Sequence, residues 1–442
     1  MARDRRTYLT GSVFLLLVAL DLVVGLSGAS VARAALGPLA VLSFAVAVFR
    51  VRGTALWTAL GVLALGLGIA AAEGSWATWY GGVAALVPVL GLITFAQLMA
   101  RPIERGGYQA ELIRSLERRC RWPGARQHVA VVATFLLGCL TTAGALPASY
   151  RVLVRSGDDR STRDALLRSA MRGAGAAIGL TPATGAFGIT MAMTGLAAPA
   201  LVVLAAPAAL AVLSLALLVA PRSAARSEPA AAAPPGAGRL RDLALALVAV
   251  AGVVLVLGRS DTIGPLHAIV LSLVVVATVW SLLLDRRAAR RQLLSFPLQA
   301  ANVAPSFALF VAAGGLAAVI AAGAWLGTLR EALLLTSSVL PPWLAVAGTI
   351  WLLFHLGLHP AVAIGIVAPA ALGARMVSPS MMASLSLAAA GTGVISSPFG
   401  GLASIASGLS RRSIVEVGFG WQLGFSLTAL VVAGLLAQLL GL

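Results

Sequence analysis

Apolar runs of 18 or more residues recur along this 442-residue chain, and they constrain its fold more than any motif does. A helix of about 20 apolar residues crosses the hydrocarbon core of a bilayer, so each run is long enough to span a membrane. Charged residues make up only 11% of the chain, whereas soluble domains carry about 25%. The sequence therefore excludes a soluble globular protein and predicts an all-α polytopic membrane protein.

The apolar spans cover 8–27, 34–49, 54–73, 77–100, 126–155, 165–195, 197–219, 240–257, 264–284, 297–325, 341–372, 376–410 and 416–441. The first of them, which begins at Tyr8, runs for about 20 residues and exceeds the usual core of a signal peptide. We therefore expect a retained first transmembrane helix.

Two of these spans, 126–155 and 341–372, are too long for a single crossing helix. Each carries glycine and proline near its middle, and both residues interrupt helices. The pattern predicts two re-entrant hairpins that enter and leave on the same side, with breaks at Gly144 and Pro147 and at Gly357 and Pro360.

Two further spans, 165–195 and 376–410, are interrupted by Pro182 and Pro398, each close to glycines. These spans are also longer than one simple crossing requires. We interpret them as crossing helices that break near the middle of the membrane.

The distribution of arginine indicates the topology. The net charge is +17 and every basic residue other than histidine is arginine. A basic chain can bind nucleic acid, but these arginines occupy short loops between apolar spans, as in topology control. With the N-terminus inside, the inside segments hold 28 of the 32 arginines, and the outside keeps Arg33, Arg259, Arg330 and Arg375.

This asymmetry predicts eleven crossings in a bacterial inner (cytoplasmic) membrane, with the N-terminus cytoplasmic and the C-terminus periplasmic or extracellular. No nucleic-acid partner is expected, because the role of the arginines is to orient the chain in the membrane. The lipid bilayer is the expected environment of the helices.

The two halves of the chain match each other at an offset of about 215 residues. Gly175 matches Gly391, Thr181-Pro182 matches Ser397-Pro398, and Gly195 matches Gly408 after a small gap. Five crossings separate equivalent points, so the repeats are predicted to be inverted. The expected organisation is a leading helix at 1–28, repeat 1 at 29–220, a Pro/Ala-rich cytoplasmic linker at 221–238 and repeat 2 at 239–442.

Three segments resemble the ion transporter superfamily. GLTPATGAFGITMAMTGL at 179–196 and GTGVISSPFGGLASIASGL at 391–409 resemble its broken-helix segments, and HLGLHPAVAIGIVAPA at 355–370 resembles its second hairpin. The nearest architecture is that of the divalent anion/sodium symporters, which carry di- and tricarboxylates. The resemblance implies two inverted five-helix repeats, a homodimer and an elevator-type alternating-access mechanism. The Ser-Asn-Thr motif of the symporter hairpin tips is absent from both tips here.

Broken helices expose backbone N–H and C=O groups that need partners inside a membrane. The N-termini of half-helices suit anions, and the facing carbonyls suit cations. Hydroxyl-bearing and small residues would let a ligand approach, although such residues also allow close helix packing. The predicted substrate and ion site comprises Thr141, Thr142, Thr181, Pro182, Thr184, Gly185, His355, His359, Ser396, Ser397, Pro398 and Gly400.

Four ionisable or amide residues carry open alternatives. Three roles are open for His355 and His359. They could titrate protons or contact the substrate, they could bind a metal as a pair, or they could be packing residues. Arg172 either attracts an anion from the cytoplasm or anchors its helix, and Asn302 is a possible cavity residue. Sodium is favoured as the coupling ion because carbonyls and hydroxyls hold it without a buried acid. A proton is the alternative, and it would need His355 or His359.

The predicted function is ion-coupled secondary transport of a small anionic solute of the organic carboxylate type. The alternative is the large membrane subunit of a tripartite, binding-protein-dependent transporter. A channel and a membrane-embedded enzyme are also conceivable. No acid pair, metal motif or nucleophile–base pair is apparent, so no enzymatic activity, catalytic residue or resident metal is expected.

Overall fold

A computed structural model describes residues 2–27, 30–120, 122, 124–220, 240–257 and 263–442. The predicted linker at 221–238 lies outside these described residues. Within them, all regular secondary structure is helical, which confirms the all-α prediction.

The helices of the N-terminal half are α1 (Ala2–Ser27), α2 (Ser30–Val48), α3 (Thr54–Glu73), α4 (Trp76–Ala85), α5 (Val87–Arg105), α6 (Tyr108–Arg119), α7 (Ala125–Thr141), α8 (Ala145–Leu153), α9 (Arg160–Ile178), α10 (Gly185–Thr194) and α11 (Ala198–Leu218). A 3₁₀ turn at Thr142–Gly144 joins α7 to α8.

The helices of the C-terminal half are α12 (Leu240–Leu257), α13 (Pro265–Leu284), α14 (Arg286–Ala300), α15 (Ala304–Ala322), α16 (Trp325–Ser337), α17 (Pro342–His355), α18 (Pro360–Gly373), α19 (Pro379–Ser396), α20 (Gly401–Ser410) and α21 (Trp421–Leu439). A 3₁₀ turn at Ala301–Val303 precedes α15, and a π-helical turn at Glu416–Gly420 precedes α21.

Eight helical stretches in the described part of the chain are long and apolar enough to cross a membrane. Large apolar side chains such as Trp57, Val203 and Leu283 are 70–80% exposed. In a soluble protein that exposure would be unfavourable, whereas acyl chains accommodate it. The chain is therefore a multi-pass membrane protein, while the number of eleven crossings stays a prediction.

Two predicted spans are more complex in the structure than in the sequence. The span at 77–100 is interrupted at Leu86, between α4 and α5, and Pro88 lies in the first turn of α5. The span at 297–325 begins within α14 and passes through the 3₁₀ turn before Pro305. Proline lacks an N–H and clashes with the preceding turn, which accounts for both interruptions.

The described residues divide into two compact units, each built from both halves of the sequence. Unit 1 comprises Met1–Met99, Val248–Leu333 and Ile364–Ala374. Within it, α15 packs against α2, α3 and α4, and α1 packs against α2 and α14. Phe14 of α1 stacks on Phe307 of α15, with 3.9 Å between ring centroids.

Unit 2 comprises Ala100–Leu247, Leu334–Ala363 and Arg375–Leu442. Its centre is the contact of α9 with α19, flanked by α7, α11, α17 and α21. The two central helices meet at Gly175 and Gly391, where a methyl group on either residue would lie within 2.7 Å of the other's carbonyl oxygen. Glycine is needed at both positions because the backbones touch. The reciprocal contact joins the two glycines that the sequence comparison paired.

Candidate functional site

Unit 2 contains two interrupted helices at the predicted places. Break 1 is the segment 179–184 between α9 and α10, and break 2 is the segment 397–400 between α19 and α20. Pro182 lies in the first and Pro398 in the second, so the prediction of broken helices at these prolines is confirmed.

The two breaks share the same hydrogen bonds. At break 1, the Thr181 N–H donates to the Ala177 carbonyl (2.8 Å), and the Thr181 hydroxyl donates to the Cys139 carbonyl of α7 (2.8 Å). The Ala183 N–H in turn donates to the Thr181 hydroxyl oxygen at 3.3 Å. One threonine thus ties the break to the end of α7 and satisfies backbone groups that the interrupted helix leaves open.

Ser397 makes the corresponding bonds at break 2. Its N–H donates to the Gly393 carbonyl (2.8 Å), and its hydroxyl donates to the Phe354 carbonyl of α17 (3.1 Å). The Phe399 N–H donates to the Ser397 hydroxyl oxygen at 3.2 Å. The equivalent residues within the breaks are 216 positions apart, which agrees with the register that pairs Gly175 with Gly391.

The half-helices after the breaks extend this register without a gap. Helices α10 and α20 contain ten residues each, and each ends at a residue in the left-handed conformation, Gly195 and Arg411. Gly195 therefore corresponds to Arg411, and the sequence match of Gly195 with Gly408 was wrong. Small residues in apolar helices align easily, and only the helix ends resolve the register.

The starts of the two half-helices differ. The Thr184 hydroxyl caps α10 by accepting from the Phe187 N–H at 3.2 Å, and it donates to the Thr181 carbonyl. Gly400 occupies the same position before α20 and provides no side-chain cap. Gly185 is buried, whereas its counterpart Gly401 is exposed and has open space around it. The first turn of α20 therefore lacks a side-chain cap for its N–H groups, and an uncapped helix start is the usual feature of an anion site.

The first predicted hairpin folds back at Thr142–Gly144, so the predicted break at Gly144 is confirmed, whereas Pro147 lies within the first turn of α8. Helices α7 and α8 pack against each other, and the turn between them begins at Thr142, whose φ is 52°. Thr141 is buried, and its hydroxyl donates to the Leu137 carbonyl at 2.9 Å. Of the two predicted tip threonines, Thr141 is thus bonded within its own helix, while Thr142 is half-buried at the turn.

The second predicted hairpin is interrupted at 356–359, between α17 and α18, where Gly357 has a φ of 99°. His359 precedes Pro360 and is half-buried, and its Nδ1 accepts from the Ala361 N–H at 3.3 Å. Because a turn separates the two histidines, the i, i+4 spacing of His355 and His359 does not place them on one helix face.

His355 ends α17 and is only 8% exposed. Its Nδ1 lies 2.8 Å from the Trp351 carbonyl oxygen, and its Nε2 lies 2.9 Å from the hydroxyl oxygen of Ser396. Ser396 is also 2.9 Å from Ser426 of α21, whose hydroxyl accepts from the Trp351 indole N–H at 2.8 Å. The histidine and the residue before Ser397 thus belong to one buried polar network.

Sequence reasoning did not identify Ser426 or Trp351. One signal was available, because Gln422 and Ser426 are polar residues four positions apart in an apolar span and therefore share a helix face. Polar residues inside membrane spans are functional candidates by default.

Arg172 is buried on α9 and contacts α21. Its guanidinium donates to the side-chain oxygen of Gln422 (3.1 Å) and to the Val219 carbonyl (3.1 Å), and it lies over the ring of Phe425 at 4.7 Å. Among the described residues no carboxylate pairs with it. These contacts favour the anchoring role over direct capture of a cytoplasmic anion.

Asn302 lies in unit 1, exposed in a 3₁₀ turn, whereas the other predicted site residues all belong to unit 2. Within the described part of the chain, no group of three or more His, Cys, Asp or Glu residues is placed to hold a metal ion. The site's polar groups are hydroxyls, carbonyls, N–H groups and imidazole, which suit small anions, protons and sodium.

Comparison with known proteins supports the fold. No family model matches the chain, and no curated protein matches it. Among solved structures, it is similar to the YdaH transporter of Alcanivorax borkumensis, described as having an unusual topology. The two share 17% sequence identity with a TM-score of 0.57, over 88% of this chain and 97% of that chain. The chain therefore has a polytopic membrane transporter fold, and this similarity does not single out the dicarboxylate symporters.

Proposed function

We propose that this protein is a secondary active transporter of a small anionic solute, of the organic carboxylate type. The observation that supports it best is the matched pair of breaks. Two interrupted helices in one compact unit use Thr181 and Ser397 in the same way, at the place where a transporter exposes backbone groups to its ligand.

The anion is proposed to bind at the first turn of α20. This half-helix begins without a side-chain cap at Gly401, which has open space around it. A helix N-terminus carries about half a positive charge and its N–H groups point outward, so a carboxylate is the matching group. The hydroxyls of Ser396 and Ser397 lie just before this turn, where they are buried and bonded within the protein.

The transport cycle is proposed to be of the elevator type, in a homodimer within a bacterial inner membrane. Unit 2 holds both breaks and the first hairpin, so all candidate site residues except Asn302 belong to one body. An inverted relation of the two halves is supported by the common 216-residue register and by the reciprocal contact of Gly175 with Gly391.

The direct test is uptake of labelled dicarboxylates into proteoliposomes that contain the purified full chain, with a sodium or a pH gradient imposed separately. We expect accumulation under at least one gradient and exchange of internal for external anion without any. Uptake by the chain alone would also exclude dependence on a binding protein. Absence of both uptake and exchange, for every anion tried and with folded protein, would refute the proposal.

The site is tested by Gly401→Asp, with Gly401→Asn as the matched neutral control. The open space accepts either side chain, but the aspartate places its own carboxylate on the helix N-terminus. We expect Gly401→Asp to raise the apparent KM for the anion by roughly 10- to 30-fold relative to Gly401→Asn. Equal KM values for the two variants would place the anion elsewhere.

A further inference from the structure

We infer that His355 is the proton-binding residue that couples anion transport to a proton gradient, and that Ser396 and Ser426 are its hydroxyl partners. The inference rests on the proposed transport function and adds the identity of the coupling ion. It is carried by the hydrogen bonds around the imidazole ring, which are complete in both protonation states.

The first step concerns the tautomer. The Trp351 carbonyl oxygen, 2.8 Å from Nδ1, can only accept, so Nδ1 carries a hydrogen in either charge state. In the neutral ring, Nε2 is therefore the basic nitrogen, and it accepts from the Ser396 hydroxyl at 2.9 Å. The free lone pair of the base thus points at a rotatable hydroxyl group.

The second step follows the added proton. When a proton binds to Nε2, the new N–H donates to the Ser396 oxygen, and the Ser396 hydroxyl turns away. It then donates to Ser426 at 2.9 Å or to the Thr392 carbonyl at 3.1 Å. Ser426 accepts that bond while it donates to the Thr392 carbonyl at 2.6 Å. No polar group in the network loses its partner in either state.

The third step concerns the charge of the imidazolium. The His355 ring lies 3.7 Å from the Trp351 ring and 5.7 Å from the Phe419 ring, measured between centroids. Aromatic faces attract a cation, and the attraction is stronger away from water. Two aromatic rings therefore flank the imidazole, and their attraction offsets part of the cost of burying a charge there without a carboxylate.

The groups that face His355 from the neighbouring helices are uncharged in the described residues. Helix α19 presents Ser396, α21 presents Ser426, and the rest of α17 has no titratable side chain. The π-helical turn contributes Phe419, and its one acidic residue, Glu416, pairs with Arg412 at 3.0 Å. His359 follows in the turn after α17. His355 is thus the titratable group of this network.

Protonation is linked to anion binding through the position of Ser396. This residue precedes Ser397 and break 2, so the positive charge arises next to the uncapped start of α20. A bound anion and a bound proton therefore raise each other's affinity by the same factor. A proton moving down its gradient then drives accumulation of the anion.

The test measures anion exchange in proteoliposomes from pH 5.5 to 8, with the full chain and without sodium. Wild-type exchange is expected to fall as pH rises through a midpoint, and an inside-alkaline gradient should drive accumulation. In His355→Gln, exchange should no longer vary with pH and gradient-driven accumulation should fall at least tenfold. His128→Gln is the matched control, because His128 also bonds to the carbonyl four residues earlier but has no hydroxyl partner in the network.

A second variant decides the matter if His355→Gln is inactive. Ser396→Ala keeps the histidine but removes the acceptor of the new N–H, so the midpoint should move by about one pH unit toward acid. An unchanged midpoint in Ser396→Ala, a wild-type pH profile in His355→Gln, or accumulation by a sodium gradient alone would overturn the inference. Complete absence of wild-type exchange would instead refute the transport function.

Discussion

The two breaks of unit 2 follow one hydrogen-bonding plan but differ in what surrounds it. His355 follows Phe354, whose carbonyl accepts from Ser397, and the residue that follows the equivalent carbonyl at break 1 is Leu140. Ser396 precedes Ser397, and the residue that precedes Thr181 is Leu180. Break 1 also has its own cap, the Thr184 hydroxyl, where break 2 has a glycine. The hydroxyl-to-carbonyl bond therefore maintains the interruption in both copies, while the buried histidine and the uncapped helix start occur at break 2 only.

The strongest test of the shared plan removes both hydroxyls. Thr181→Val with Ser397→Ala leaves two buried carbonyls and two backbone N–H groups without these partners, at about 1–3 kcal/mol each. We expect anion uptake to fall by roughly 100-fold or more, while the protein still inserts and elutes as a single species. Initial uptake rates per folded protein measure the effect.

The two single variants show how far each break contributes. If the two breaks contribute equally, Thr181→Val and Ser397→Ala should reduce uptake to similar extents. A loss confined to Ser397→Ala would assign ligand contact to break 2 alone. Wild-type uptake by the double variant would show that Thr181 and Ser397 have only a packing role.

Much of this site was predictable because glycine, proline and hydroxyl residues mark helix interruptions locally. The positions of both breaks and the turns near Thr142 and Gly357 follow from local chemistry. The partners of His355 do not, because Ser426 comes from another helix of apolar composition. The polar pair Gln422 and Ser426 indicates a helix face, but which helices that face meets depends on how α21 packs against α17 and α19.

The long-range organisation of the chain could not be predicted from local sequence either. Two compact units that each draw on both sequence halves arise from packing between distant segments. For Arg172 the sequence left two interpretations open, and only the contacts with Gln422 and Phe425 favour one of them. The early start of α14 at Arg286 was missed because its basic first turns are not apolar.

The helix pairs that precede the breaks differ as well, and this difference predicts a stability effect. At the base of the α7–α8 hairpin, Arg126 pairs with Asp158 at 2.7 Å and donates to the Leu153 carbonyl, whereas α17 contains no arginine and no carboxylate. Both side chains of the pair are about 8% exposed. Arg126→Met should lower the free energy of unfolding by about 3 kcal/mol, since it leaves a buried carboxylate without its arginine partner.

Thermal denaturation in detergent measures this loss, with Arg155→Met as the matched control. Arg155 pairs with Glu117 at a more exposed position, so its loss should cost about 1 kcal/mol or less. Equal destabilisation by the two variants would contradict a special role for the hairpin base.

Acid should weaken the ion pair between Arg126 and Asp158. The hydrogen bond from Arg126 holds the pKa of Asp158 below its ordinary value of 3.8. A depressed pKa in the folded state means that the stabilisation is present above the unfolded pKa and is lost as pH falls through the folded value. The wild type should therefore lose this contribution below about pH 4, and Arg126→Met should lose less stability over that interval.

The smallest predicted effect concerns the cap that only break 1 possesses. Thr184→Ala removes the acceptor of the Phe187 N–H, and loss of a helix cap costs about 1 kcal/mol. Hydrogen exchange in the first turn of α10 should accelerate by roughly fivefold, since 1.4 kcal/mol corresponds to a factor of ten. Ser378→Ala, which removes the cap of α19, gives the matched control at a helix start outside the breaks. If Thr184→Ala instead raised the KM for the anion tenfold, break 1 would take part in ligand binding, and the division between a self-satisfied break and a ligand-binding break would be wrong.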